Sequence, residues 1–318
     1  MSEIRMAEVS DHLYRKAAAR RIPLSGTFEL TPLCNFACRM CYVRRTAAEV
    51  KAHHRPMLTY DDWLRIAREG REQGMLFLLL TGGEPLLWPR FWELYAELVD
   101  MGMLVAVNTN GSLLDDEAIE RFKRRPPRRV NITLYGGCDE TYQRLCGVKG
   151  VFDRVDRAVR GLKAAGIPVK LNCSLTPHNA GDLEAITAYA KELDLRLDLA
   201  TYMFPPIRRD PDAIGVNDRF TPEETARYRV RGIELLQGGE AANSFLQRVK
   251  RGCAEPPGLE EGCYDPIDGR IRCRAGSASF WITWDGFLTA CGMMPQPRAE
   301  LTGRAFADAW QELAEETA

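Results

Sequence analysis

The feature that most restricts how this chain folds is a repeating unit: a short apolar strand, a polar loop and an amphipathic helix. Thr59 opens one such helix, with Asp62 three residues on to complete a capping box and Trp63, Ile66 and Ala67 forming its apolar stripe until Gly74. A strand over 75–80 follows directly. The pattern returns as helix 90–101 and strand 103–109, helix 115–123 and strand 129–135, helix 151–165 and strand 169–175, then helix 179–193 and strand 195–202. With an initial strand at 26–30 this makes about six β/α units, and alternation at this spacing implies a parallel sheet with right-handed crossovers.

The strand faces separate an open sheet from a curled one. In Val130-Asn131-Ile132-Thr133-Leu134-Tyr135 and Leu171-Asn172-Cys173-Ser174-Leu175-Thr176 apolar residues alternate with polar ones. An open doubly wound sheet has helices on both faces and strands apolar throughout, so a polar second face predicts an incomplete barrel with a ligand in its lumen. Strand 195–202 agrees, setting Arg196, Asp198 and Tyr202 opposite Leu195, Leu197 and Leu199. The loops at the carboxyl ends of the strands then form the site. These are Thr81-Gly82-Gly83-Glu84-Pro85 after the second strand, Asn108-Thr109-Asn110-Gly111 after the third, Tyr135-Gly136-Gly137 after the fourth and Ser174-Leu175-Thr176 after the fifth.

After the first strand comes Cys34-Asn-Phe-Ala-Cys38-Arg-Met-Cys41-Tyr42. This C-x3-C-x2-C triplet supplies three thiolates and no fourth, which suits a four-iron cluster with one iron open to an outside ligand. A zinc structural site would normally collect four ligands from two C-x2-C pairs, and no second such pair accompanies Cys38 and Cys41. The chain has 318 residues, 45% of them apolar, and a net charge of −1, enough for one large core plus an appendage. Basic and acidic residues are matched along most of the length, which argues against nucleic acid or a membrane surface as partner. No apolar stretch is long enough to span a bilayer and Met1-Ser-Glu-Ile-Arg5 is not a signal peptide, so a cytoplasmic protein is expected. In that compartment the 10 cysteines read as metal ligands, reactive thiols and core residues rather than disulfides.

The triplet, the aromatic residue after its third cysteine, the Gly-Gly-Glu-Pro turn and the Thr-Asn-Gly turn together resemble the radical S-adenosylmethionine (SAM) enzymes, over residues 24–205. The resemblance implies a partial (β/α)6 TIM-like barrel. It implies that Cys34, Cys38 and Cys41 hold a [4Fe–4S] cluster whose open iron is chelated by the amino and carboxylate groups of SAM. Gly82 and Gly83 let backbone approach the methionine ammonium, and Glu84 accepts a hydrogen bond from it. The backbone beside Tyr42 meets the adenine, Asn108 and Asn110 reach the ribose, and Thr133, Asn172 and Ser174 project into the lumen. Arg144 stands where related enzymes place an arginine for the SAM carboxylate. Taken alone, Glu84 reads as a surface carboxylate and Gly-Gly as an ordinary turn; their co-occurrence at successive strand ends favours the site.

Residues 206–250 read as a linker with a helix, following an N-terminal extension (1–23) and the barrel (24–205). The last stretch, 251–318, carries Cys253, Cys263, Cys273 and Cys291, with Trp281 to Leu288 reading as a β-hairpin around Asp285-Gly286. It resembles the first half of a SPASM or twitch extension, a small iron–sulfur domain, and nothing after Cys291 is a cysteine. One auxiliary [4Fe–4S] cluster is therefore expected, held either by all four cysteines or by Cys263, Cys273 and Cys291. Cys173 reads as a core residue. Cys138, Cys146 and Cys253 are the candidate hydrogen donors to a substrate radical, Cys138 and Cys146 being equally readable as packed side chains.

Radical SAM proteins with such an extension resemble maturases of ribosomally made peptides, so a precursor peptide substrate is expected, with crosslinking (thioether or carbon–carbon) or epimerisation as outcome. A flavodoxin- or ferredoxin-type electron donor is implied. Pro205-Pro206-Ile207-Arg208-Arg209-Asp210 reads as a solvated linker or as basic contacts to an acidic leader. Two rival readings stay open: a radical SAM enzyme acting on a small molecule, of dehydrogenase or haem-pathway type, and a metal-binding or electron-carrying module without catalysis.

Overall fold

The computed structural model describes residues 6–208, 218–250 and 273–317. Along the chain these form α1 (Met6–Ala19), β1 (Ser25–Glu29), α2 (Ala47–Ala52), α3 (Tyr60–Glu72), β2 (Phe77–Thr81), α4 (Phe91–Asp100), β3 (Leu104–Thr109), α5 (Asp116–Arg124), β4 (Arg129–Thr133) and α6 (Asp139–Cys146). They continue with α7 (Phe152–Ala164), β5 (Val169–Ser174), α8 (Leu183–Glu192), β6 (Leu197–Ala200), α9 (Pro222–Gln237), α10 (Gly239–Lys250), β7 (Ser279–Ile282), β8 (Phe287–Thr289), β9 (Arg298–Glu300) and α11 (Phe306–Glu316). The capping box expected at Thr59 is present. Its hydroxyl accepts from the Asp62 N–H at 3.2 Å, and the Asp62 carboxylate accepts from the Thr59 N–H at 2.9 Å, fixing the start of α3.

The strands make one sheet in the order β6-β5-β4-β3-β2-β1-β7-β8-β9, with β1 to β6 parallel. Parallel register places Glu29 beside Thr81, Asn108 beside Asn131, and Thr133 beside Asn172, which in turn lies beside Asp198. One face is therefore polar. The other presents Phe28, Leu80, Val107, Ile132, Leu171 and Cys173, all buried against the helices. Thr81, Asn108, Thr133, Asn172 and Asp198, from β2 through β6, line a single cavity, so the sheet curls around it as a partial barrel.

On the far side of β1 the sheet continues. Strand β7 pairs with β1 in parallel, Ser25 opposite Ser279, and β8 and β9 follow antiparallel. The hairpin turns at Asp285-Gly286, where Gly286 takes a φ of 89°. Helix α11 packs Phe306 and Trp310 on Phe280, with ring centroids 5.1 and 5.8 Å apart.

Three features depart from the sequence reading. Helix α1 precedes the barrel and covers its base through Ala17, against Leu24 and Ala278. The 206–250 stretch carries two helices, α9 and α10, rather than one. Arg208 is neither solvated nor free for an acidic leader, because its side chain, 11% exposed, is held in an ion pair with the buried Glu29; Arg209 and Asp210 lie outside the described residues. Among the described residues no helix is long and apolar enough to cross a membrane.

Candidate active site

The loop after β1 is held from three sides. Phe36, 2% exposed, sits against Tyr135 and Tyr142 at centroid distances of 6.0 and 6.2 Å. The N–H groups of Ala37 and Arg39 donate to the Cys146 and Leu145 carbonyls at 2.8 and 3.0 Å, using acceptors left over at the end of α6. The third support is the Gly-Gly turn after β2: Gly83 donates to the Thr31 carbonyl at 2.6 Å and Glu84 to the Leu33 carbonyl at 2.9 Å. A Cβ on Gly82 would stand 2.5 Å from the Thr31 oxygen, and one on Gly83 would collide with the Leu33 carbonyl. The glycines are needed because the protein's own backbone passes there.

Cys34, Cys38 and Cys41 line the barrel cavity, which has a volume of about 1220 Å³. Main-chain N–H groups of Phe36 and Arg44 point at the sulfurs of Cys34 and Cys41, each at 3.3 Å. Such donors stabilise thiolates and the cluster sulfurs they bind. Burial, slightly offset by the Phe36 N–H, pushes the Cys34 thiol up to about 12 when no metal is bound. Cys38 is moved the other way, chiefly by a hydrogen bond with Cys146. Among the described residues no three His, Cys, Asp or Glu side chains gather tightly enough for a single metal ion. Three thiols spread along one cavity fit a multi-iron cluster, in which each thiolate meets a different iron.

The other expected residues divide into two groups. Tyr42, Gly82, Gly83, Asn108, Asn110, Thr133, Asn172 and Ser174 line the same cavity as the cysteines. Glu84 and Arg144 point elsewhere. Glu84 is fully buried: its carboxylate accepts from the Thr109 hydroxyl (2.8 Å), the Asn110 N–H (2.8 Å) and the Leu86 N–H (3.2 Å), bracing the turns after β2 and β3. Burial raises its pKa to about 7 despite these donors. Arg144 lies at the surface, donating to the His178 carbonyl (2.7 Å) and the Thr141 hydroxyl (2.9 Å).

The candidate thiols are similarly dispersed. Cys146 is fully buried behind the loop, and its hydrogen bond with Cys38, followed by burial, raises its pKa far above the ordinary thiol value. Cys138 faces the Thr141 hydroxyl at 3.6 Å and Asp182 at 3.9 Å. Cys173 is in the core as expected. Cys273 is exposed and Cys291 half-buried after β8, while Cys253 and Cys263 lie outside the described residues.

Sequence reasoning missed several contributors. Asn35 donates to the Ser112 hydroxyl (2.8 Å) and accepts from Asn110 (2.8 Å), tying the cysteine loop to the turn after β3. Asn35 stood within the cysteine run, and its amide was the available signal. Arg196 and Asp198, which the strand alternation already set on the lumen face, pair at 2.8 Å, and Lys170, not foreseen, joins Asp198 at 2.7 Å. Asn131 donates to Asn108 at 2.6 Å, leaving its own buried carbonyl oxygen without a partner among the described residues.

Residues 28–190 match the radical SAM superfamily. The AdoMet-dependent heme synthase of Methanosarcina barkeri is 24% identical over 92% of this chain and 84% of its own length. The PqqA peptide cyclase of Granulibacter bethesdensis is 27% identical over 67% of this chain and 58% of its own. Among solved structures, Streptococcus suis SuiB bound to its precursor peptide SuiA superposes with a TM-score of 0.67 at 16% identity, over 96% of this chain and 70% of SuiB. The chain belongs to the radical SAM superfamily: its barrel and its cysteine loop are those of an enzyme that uses S-adenosylmethionine with an iron–sulfur cluster.

Proposed function

We propose that the chain modifies a ribosomally made precursor peptide, forming a thioether or carbon–carbon crosslink or inverting an α-carbon. The observation that carries this reading is the cavity. At about 1220 Å³ it exceeds the ~300–1,000 Å³ of ordinary small-ligand clefts, leaving room for a substrate segment beside the cofactor. The peptide cyclase relative supports it, and SuiB shows that this fold occurs in a protein solved with a precursor peptide.

With a cluster and SAM in place, the chemistry supplied is reductive cleavage of SAM to methionine and a 5′-deoxyadenosyl radical, which takes a hydrogen atom from the substrate. The chain's own residues bind and orient. Cys34, Cys38 and Cys41 would hold the cluster; Asn108, Thr133, Asn172 and Ser174 would offer hydrogen bonds to SAM from the lumen wall, with the backbone at Tyr42 and Gly82-Gly83 completing its contacts. Glu84 acts through the turns it braces. An auxiliary cluster on Cys253, Cys263, Cys273 and Cys291, a flavodoxin- or ferredoxin-type donor and a cytoplasmic setting belong to the same proposal. Cys146 and Cys138 would have to leave their present partners to donate hydrogen, which leaves Cys253 as the third candidate.

The heme synthase relative, matched over 92% of this chain, favours a second reading in which the substrate is a small molecule. One experiment separates the two: anaerobic co-expression with the short peptides encoded beside the gene, followed by accurate mass in ordinary and heavy water. Loss of two hydrogens identifies a crosslink or a dehydrogenation; unchanged mass with deuterium gained from heavy water identifies epimerisation. No change in either solvent overturns the peptide reading in favour of the small molecule. Cys34→Ala should abolish SAM cleavage, and Cys273→Ala should keep cleavage while stopping product formation.

A further inference from the structure

Among the described residues the sheet of the partial barrel ends at β6, and the edge it leaves runs along the cavity. The ladder to β5 uses alternate residues of β6: Leu171 donates to the Arg196 carbonyl at 2.9 Å and Leu175 to the Ala200 carbonyl at 2.8 Å. The main-chain N–H and C=O groups of Leu197 and Leu199 therefore face away from β5. Among the described residues no strand pairs with this edge. An unpaired edge is a template for another extended chain, and this one lines the same cavity as Cys34, Cys38 and Cys41.

We propose that an acidic, extended segment of the substrate peptide docks on the free edge of β6 as an added strand, which aligns the residue to be modified with the cysteine end of the cavity. The proposal deepens the peptide reading and rests on it. Strand addition supplies affinity through main-chain hydrogen bonds and specificity through alternate side chains. The charge on the wall selects the partner. Lys170 and Arg196 share one carboxylate, Asp198, and Arg229 of α9 lines the cavity with no carboxylate partner among the described residues. Of the charged residues lining the cavity, Lys191, Arg196 and Arg229 outnumber Asp194 and Asp198, so cationic charge is in excess beside the edge, and acidic side chains on the docked strand would neutralise it.

The test uses fluorescein-labelled decapeptides titrated by anisotropy into the reconstituted holoenzyme with SAM. The probes are (Val-Glu)5, (Val-Lys)5, and two forms of (Val-Glu)5 carrying N-methyl groups on every valine or on every glutamate. A strand paired along one edge directs only alternate N–H groups to β6, so one N-methylated form should bind at least tenfold more weakly than the parent while the other binds like it. Arg229→Glu should reverse the preference for (Val-Glu)5 over (Val-Lys)5. Equal binding of both N-methylated forms, or no charge preference, would overturn strand docking while leaving the peptide reading intact. Failure of every peptide to bind would overturn strand docking, while an unchanged mass of the co-expressed precursor peptides in both ordinary and heavy water is what would overturn the peptide reading. A dimer in sedimentation that (Val-Glu)5 does not dissociate would assign the edge to a second copy of the chain instead.

Discussion

Arg208 grips Glu29 with both ends of its fork: Nη1 stands 3.0 Å from Oε2 and Nη2 3.0 Å from Oε1. The carboxylate is fully buried, the guanidinium side chain is 11% exposed, and the Trp281 indole N–H adds a third donor at 2.8 Å. Nη1 also donates to the Gly292 carbonyl at 2.7 Å, so the segment leaving β6 is pinned to β1, β7 and the loop after β8 at once.

Removing one partner leaves a buried charge uncompensated. Arg208→Met should lower stability by about 3–5 kcal/mol in urea unfolding, and Glu29→Gln/Arg208→Met should cost less than the two single changes added. Additive losses would mean that the pair is not energetically coupled.

At Gly83 a methyl group meets main chain, which cannot rotate aside. Gly83→Ala should cost about 1–3 kcal/mol and displace the cysteine loop. The check is iron bound per chain after anaerobic reconstitution, together with the melting temperature. Wild-type iron content would show that the loop is not supported there.

The Glu84 carboxyl titrates near 7 when folded, against an ordinary value of 4.5, because burial outweighs its donors. Between those values the folded protein holds a proton that the unfolded chain has released, so stability falls as pH rises through that window and levels off above it. The total is on the order of 3 kcal/mol. Glu84→Gln should flatten this slope, as read from urea unfolding at pH 5, 6, 7 and 8 on a scale of about 1.4 kcal/mol per unit.

Accessibility orders the thiols. In the cluster-free protein Cys273, exposed, should react with iodoacetamide fastest among the described cysteines, and Cys146 and Cys173, buried with raised pKa values, slowest. Peptide mapping over time gives the order, and early labelling of Cys146 would show that α6 opens readily.

The barrel was legible because its information is local. Thr59 and Asp62 lie within one helical turn, and Val130 to Tyr135 carry their alternation within one strand. The cavity-lining positions followed from the rule that strand ends make the site. Side-chain direction within a turn was not legible: Glu84 and Asn110 belong to adjacent loops, and only the fold brings them into contact. Arg208 was misread for the same reason. Beside two prolines it has the composition of a linker, and its partner Glu29 is 179 positions away. Helix α1 escaped notice because its buried contacts, Leu24 and Ala278, lie in other elements.

The pairing of β7 with β1 also has a bearing on synthesis. Glu29 and Trp281 are 252 positions apart yet share a hydrogen bond beside the cysteine loop. While the chain emerges from the ribosome, β1 can find β2 early but must wait until β7 has been made before its other edge is covered. The strand that leads into the cysteine loop is thus left half-paired until β7 is made, and its open edge is one that the nascent chain must protect from aggregation.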